Sequence, residues 1–421
     1  MINFLEPNVI IIDDKREEIQ GIYDYYIERG IGCKIFNSDL IDGDDYPEKT
    51  YSDVNIIYLD LHYSEHFDAE ICATWIRHIV KPRSFYILVM WTKDISKAEQ
   101  VSTLLNTHKV IPFLTLTKSK TDYQSEQGYN FSDLFETLNV DLSSTPSLEE
   151  ILHWKKTVKY SSNEIIGNVT STPNNIVNKL KKIIISHGGT FIKDSEDNIY
   201  KRSILFDALD TVLISNTKKN IDGEINELNN QNLYNLQDVE DSTTDKELNS
   251  WFHFKLENEI SPNLITPGLI AVNNHRFFKK LYSIKDDPKI EIFLKKQIEA
   301  DKQIDDIVLV ISRPCDIAQK KYGKNLKLLS GLIIKKPLRK TKGKLDLPTP
   351  MDSLKIYDHL YFDDNDNDVT LLFDFRYSFS VPSDIFINKF SNLKIFSKEL
   401  LSEMQVEYSN YSSRLGITQI I

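Results

Sequence analysis

The sequence predicts an α/β N-terminal domain, a helical connector and a β-rich C-terminal domain. Three observations carry this. Residues 8–118 alternate five short apolar runs with segments of helical period. Several of those runs are apolar at nearly every position, as strands covered on both faces must be. After Pro262 the texture changes to short strands separated by polar turns.

The five N-terminal strands are expected at residues 8–13 (NVIIID), 32–36, 55–60 (NIIYLD), 85–92 (FYILVMWT) and 111–118 (IPFLTLTK). Between them, residues 15–29 place Ile19, Ile22, Tyr23, Tyr26 and Ile27 at helical spacing, and residues 69–80 and 95–105 have similar patterns. That β-α-β-α order requires a parallel, doubly wound sheet with helices on both faces. Residues 120–132 are polar and are expected to be a loop or edge. Helical patterns follow at 148–158, 173–186 and 200–214, the second ending at Gly188–Gly189. Residues 216–248 are rich in Asn, Asp and Glu, which suggests a mobile insertion. C-terminal strands are expected at 264–272, 307–312, 326–335, 357–362 and 369–380, forming a small barrel or sandwich, with a closing helix near 397–409. The resulting domains are 1–135, 136–260 and 261–421.

A chain of 421 residues is too long for one ordinary core. Its net charge of −11 argues against nucleic-acid binding through wholesale phosphate neutralisation. Cys33, Cys72 and Cys315 are far apart and form neither a disulfide framework nor a zinc pattern. No signal peptide or bilayer-length apolar run is evident, so the expected location is the cytoplasm, with no membrane partner.

Ligands of open α/β sheets bind beyond the carboxyl ends of the strands. Asp13 and Asp14 end the first predicted strand, Asp60 the third, Thr92 the fourth and Lys118 the fifth. Three carboxylates there make a hard oxygen site suited to Mg²⁺, and crowded carboxylates need a cation to neutralise them. Asp60 is then placed to act as a nucleophile toward phosphorus, with Lys118 and the Thr92 hydroxyl holding phosphoryl oxygens.

These five residues, in order, resemble the receiver domain of two-component response regulators over roughly residues 5–130. The resemblance implies a five-stranded flavodoxin-like fold and an acidic pair at Asp13 and Asp14. It also implies a phosphoacceptor at Asp60, supporting roles for Thr92 and Lys118, bound Mg²⁺, and a histidine kinase or phosphotransfer protein as donor. The whole architecture resembles receiver proteins of antiphage two-component systems, in which the output is a signalling switch or a phosphate sink. Several positions depart from the family: LHYSEHFD follows Asp60, Lys93 follows Thr92, Ser119 follows Lys118, and Thr115 replaces an aromatic. His62 and Asp94 border the site and are candidates for setting phosphate lifetime. Two alternatives remain: a phosphorylation-gated nucleic-acid or nuclease-like effector acting through the C-terminal domain, and a non-phosphorylated scaffold.

Further along, VLVISRPCDIAQK places Cys315 and Asp316 after a strand, and similar segments occur in β-barrel domains of bacterial conflict systems. A buried thiol, with Asp316 capping the next turn, is preferred to a nucleophile served by His275. Lys335, Lys336, Arg339, Lys340, Lys342 and Lys344 form the one concentrated basic run. Lacking interleaved aromatics, it reads as a solvated loop in preference to a nucleic-acid contact. DDNDND at 363–368 lacks the glycine of a calcium loop and reads as a surface turn.

Overall fold

The computed structural model describes residues 6–126, 128–171, 175–194, 196–221, 223–225, 227–236, 246–255, 260–274, 304–312, 325–335, 340–341, 344–345, 353–361 and 368–413. The chain divides into two compact units, 1–152 with 226–233, and 153–225 with 234–421.

The first unit contains β1 (Val9–Asp13), α1 (Gln20–Glu28), β2 (Cys33–Asn37), β3 (Ile56–Leu59), α2 (Ala69–Ile79), β4 (Ile87–Thr92), α3 (Ala98–Thr107), β5 (Leu114–Ser119) and α4 (Phe131–Ser143). The strands form a parallel sheet in the order β2-β1-β3-β4-β5. The α/β prediction and its five strands hold, and the fold is receiver-like.

Side chains alternate across each strand and so fill two cores. Ile10, Ile12, Ile57, Leu59, Leu88 and Met90 meet α2 and α3 through Ala73, Ile76, Val101 and Leu105. Val9, Ile11, Tyr58, Val89 and Trp91 meet α1 and α4 through Ile22, Tyr26, Leu134 and Phe135. Full burial at successive positions therefore reflects two covered faces. Asp68 caps α2, its carboxylate accepting from the backbone N–H groups of Glu70 and Ile71.

The expectation of a loop at 120–132 needs correction. Residues Lys120–Tyr123 form a 3₁₀ turn, Gln124–Ser125 pairs with Gly128–Tyr129, and α4 begins at Phe131. The Asn130 side chain caps α4 by accepting from Asp133 N–H, and Leu134, Phe135 and Leu138 form its buried stripe. Polar residues at 120–130 obscured a helix start that the cap and stripe together encode.

In the second unit, α5 (Pro146–Thr170) enters from the first unit's sequence, followed by α6 (Ile176–Gly188) and α7 (Asn198–Lys219). Asn216 and Lys219 of α7 and its C-cap residue Asn220 bond the Glu164 carboxylate of α5. Within 216–248, the end of α7, α8 (Glu227–Asn232, part of the first unit) and the start of α9 (Lys246–His253) are helical.

The β-rich part contains β6 (Leu269–Asn273), β7 (Ile304–Val310), β8 (Asn325–Ile334), β9 (Leu354–Tyr361), β10 (Asp368–Pro382), α10 (Ser383–Lys389), β11 (Phe390–Ile395) and α11 (Lys398–Ser412). Its strands make a six-stranded antiparallel sheet ordered β9-β10-β8-β7-β6-β11. One face packs Leu309, Leu329 and Phe373 against Leu400, Leu401 and Met404 of α11. The other packs Val308, Val310 and Leu328 with Phe386 of α10. Among the described residues this is one sheet with β9 and β11 at its ends, which is the form the predicted β-rich domain takes. Among the described residues, no helix is long and apolar enough to cross a membrane.

Candidate active site

The carboxyl ends of β1, β3 and β5 bring four ionisable side chains into contact. Lys120 follows β5 and is fully buried. Its Nζ lies 2.8 Å from Asp13 Oδ2, 2.6 Å from Glu18 Oε2 and 2.7 Å from Asp60 Oδ2. Carboxylate oxygens of Asp13, Glu18 and Asp60 all lie within 4.8 Å of one another, a grouping able to hold a metal ion. Parallel strands explain the convergence, because their carboxyl ends share one rim.

Asp13 ends β1, and its Oδ1 accepts from Lys15 N–H at 2.8 Å. Asp60 follows β3, and its Oδ1 accepts from the N–H groups of Leu61 at 2.7 Å and His62 at 3.3 Å. Glu18 lies in the 3₁₀ turn Arg16–Glu18, and its Oε1 pairs with Lys93 Nζ at 2.6 Å. Trp91 Nε1–H donates to the Glu18 backbone carbonyl at 3.1 Å.

Counting charges, three carboxylates face two ammonium groups, so the cluster carries one surplus negative charge. Burial raises Asp13 from 3.8 to about 7; Lys120 opposes that rise and the Asp60 charge adds to it. Burial also acts to raise Glu18, but hydrogen bonds from Lys120 and Lys93 hold it below the usual carboxylate range. For Lys120, burial disfavours the ammonium, yet Asp13 and Asp60 hold its pKa above the ordinary lysine value.

Among the residues expected at the rim, the structure brings Asp13 and Asp60 together. Lys118 does not join them: its Nζ pairs with Asp141 Oδ2 of α4 at 2.6 Å. Strand β5 runs through Ser119, so Lys118 is still inside the ladder and is directed toward α4. The lysine free to turn onto the rim is Lys120, the first residue of the 3₁₀ turn. Asp14 is also diverted, its Oδ2 accepting from Ser64 N–H at 2.7 Å. Ser64 is the tip of a hairpin pairing His62–Tyr63 with His66–Phe67, and Glu18 occupies the third acidic place.

At that tip Ser64 and Glu65 both have positive φ, 48° and 66°, as a two-residue hairpin turn of the primed type requires. Thr92 is buried at the end of β4, with its Oγ1 3.3 Å from His62 Nδ1 and accepting from Asp94 N–H at 3.4 Å. The Asp94 carboxylate bonds Ser96 N–H and Oγ–H. Thr92 thus borders the site through His62, and Asp94 joins it through Thr92.

Glu18 was missed because a glutamate in the short REE run carries no periodic or motif signal. Lys120 was missed because the KSK run offers two lysines, and which of them leaves the strand depends on where β5 ends. In the C-terminal part, Cys315, Asp316 and His275 lie outside the described residues, as do Lys336, Arg339 and Lys342 and the turn at 363–367. The side chains of Lys340 and Lys344 also lie outside that description. Lys335 Nζ pairs with Asp305 Oδ2 at 3.0 Å.

No protein-family model matches the sequence. No curated protein matches it either. Among solved structures, one described as the crystal structure of adenylate cyclase from Rhodopirellula baltica is 17% identical. It covers 35% of this chain and 98% of its own, with a TM-score of 0.20. A likeness at that level carries no argument about this protein.

Proposed function

We propose that the N-terminal unit is a phosphate-accepting receiver. In this reading Asp60 takes a phosphoryl group from a histidine kinase or phosphotransfer protein, with Mg²⁺ as the cation. The protein then serves as a signalling switch or a phosphate sink, and antiphage signalling is the setting its architecture suggests. One observation carries the reading: Asp13, Glu18 and Asp60 gather around the Lys120 ammonium at the carboxyl rim of a parallel sheet.

The donor set fits Mg²⁺, since it offers hard carboxylate oxygens and one uncompensated negative charge. Asp13 and Asp60 would hold the ion, which when bound neutralises charge on the phosphoryl oxygens. The remaining chemistry belongs to the chain. An Asp60 carboxylate oxygen forms the new bond to phosphorus as the phosphorus–nitrogen bond of the donor phosphohistidine breaks, and its electron pair returns to the imidazole. The N–H groups of Leu61 and His62 orient the carboxylate through Oδ1. Lys120, already bonded to Asp60, donates to a phosphoryl oxygen and offsets its charge.

The test is transfer from a radiolabelled phosphohistidine donor to the full-length protein, with and without Mg²⁺. Wild type is expected to acquire base-labile label only with Mg²⁺, and Asp60→Ala to acquire none. Equal labelling of the variant would overturn the assignment.

A scaffold reading has one observation in its favour. Asp60 is only 6% exposed and its Oδ2 is occupied by Lys120. Such a protein would dock a partner through an unphosphorylated receiver-like fold, and wild type would stay unlabelled in the same experiment.

A further inference from the structure

Glu18 has a part to play that the acidic pair of the family resemblance does not supply. Both of its carboxylate oxygens are taken by lysines, Oε1 by Lys93 and Oε2 by Lys120, each at 2.6 Å. Its backbone carbonyl is held by the Trp91 indole. Glu18 is therefore fixed from the β4 side, its backbone by Trp91 and its carboxylate by Lys93, and it presents one oxygen to Lys120.

An ammonium group has three N–H donors. Those of Lys120 face three carboxylates, and Asp13 and Asp60 are the two that a cation and an incoming phosphoryl group would claim. Glu18 is the one cluster carboxylate left to hold the lysine while the other two change partners. Without it, an ammonium on a flexible four-carbon stem has no fixed anchor.

We propose that Glu18 is a positioning residue: braced by Lys93, it anchors the Lys120 ammonium and sets the direction in which that group faces Asp60. The inference rests on the reading of Asp60 as phosphoacceptor. Glu18 touches neither donor nor phosphoryl group and acts through Lys120.

The experiment uses the full-length protein and two measurements. One is the ¹H–¹⁵N signal of the Lys120 side-chain ammonium, recorded with no phosphate mimic present. The other is the affinity for beryllofluoride, an acyl-phosphate mimic, in the presence of Mg²⁺. Wild type is expected to show a slowly exchanging ammonium, because all three donors are buried and bonded.

In Glu18→Gln the ammonium protons are expected to exchange at least about tenfold faster, and beryllofluoride affinity to fall about tenfold, as for one lost charge-assisted hydrogen bond. Lys93→Met is expected to move both readouts in the same direction by a smaller factor, and to add little on top of Glu18→Gln. A merely structural Glu18 would lower thermal stability and leave the ammonium signal of the folded protein unchanged, and that result overturns the proposal. Should Glu18→Gln not fold, Lys93→Met decides alone. The Lys93 side chain is 52% exposed, so its loss leaves the core intact, and unchanged readouts in that variant also overturn the proposal. If wild type binds no beryllofluoride while the ammonium responds as stated, the acceptor reading fails and the anchoring of Lys120 by Glu18 stands.

Discussion

Replacing Asp13 by Asn should make the N-terminal unit more stable at pH 7.5, although it removes a partner from a buried ion cluster. The reason is the burial of its carboxylate. Asp13 is raised from 3.8 to about 7 in the folded protein, chiefly by burial. Between those two values the folded state keeps the proton that the unfolded chain has released. Stability therefore falls as pH rises through the window, and the full penalty applies above it. The size of the rise corresponds to a penalty on the order of 4 kcal/mol. That figure already includes the attraction of Lys120 for the carboxylate, and an Asn oxygen still accepts from Lys120, so Asp13→Asn is expected to gain a few kcal/mol at pH 7.5, a gain that shrinks as the pH falls toward 5.

Glu18 works in the opposite sense, because its folded value is depressed. It contributes stability above its ordinary value of 4.5, which is lost as pH falls below that, so its window lies under that of Asp13. Hydrogen exchange of the β1 amides Ile10, Ile11 and Ile12 in the full-length protein, from pH 5 to pH 8, reads the opening free energy of this unit. Mg²⁺ at pH 7.5 should raise protection in wild type and do less in Asp13→Asn, since the cation relieves the same charge. Equal or lower protection of the variant at pH 7.5 would refute the argument from burial.

Two further outcomes bear on the frame around the site. A Cβ added at Gly21 of α1 would lie 2.1 Å from Cδ2 of Phe131. Gly21→Ala should therefore displace the start of α4 and cost on the order of 1–3 kcal/mol in urea unfolding; an unchanged midpoint would show that the ring yields freely. At the hairpin beyond Asp60, Glu65 is left-handed at φ 66°. Glu65→Gly should relieve that strain for a net gain of about 0.5–1 kcal/mol in thermal unfolding, and a lower melting temperature would contradict it. The loss of label in Asp60→Ala and the ammonium response of Glu18→Gln stand with these.

Five strands, their parallel order and the meeting of Asp13 with Asp60 were legible in the sequence. Runs such as NVIIID and NIIYLD have local causes: apolarity on both faces makes a buried strand, and a carboxylate just past such a strand must lie on the rim. The α4 helix was not read from the sequence, although the Asn130 cap and the Leu134, Phe135 and Leu138 stripe encode it, because the polar stretch before it masked these signals. Tertiary structure alone decided which lysine and which third carboxylate complete the site. One extra residue in β5 keeps Lys118 in the ladder beside Asp141 and releases Lys120 to the rim. The hairpin tip at Ser64 draws Asp14 away, while Trp91 and Lys93 hold Glu18 in its place. Those choices depend on where a strand stops and on contacts between residues tens of positions apart, which no local pattern of side chains encodes.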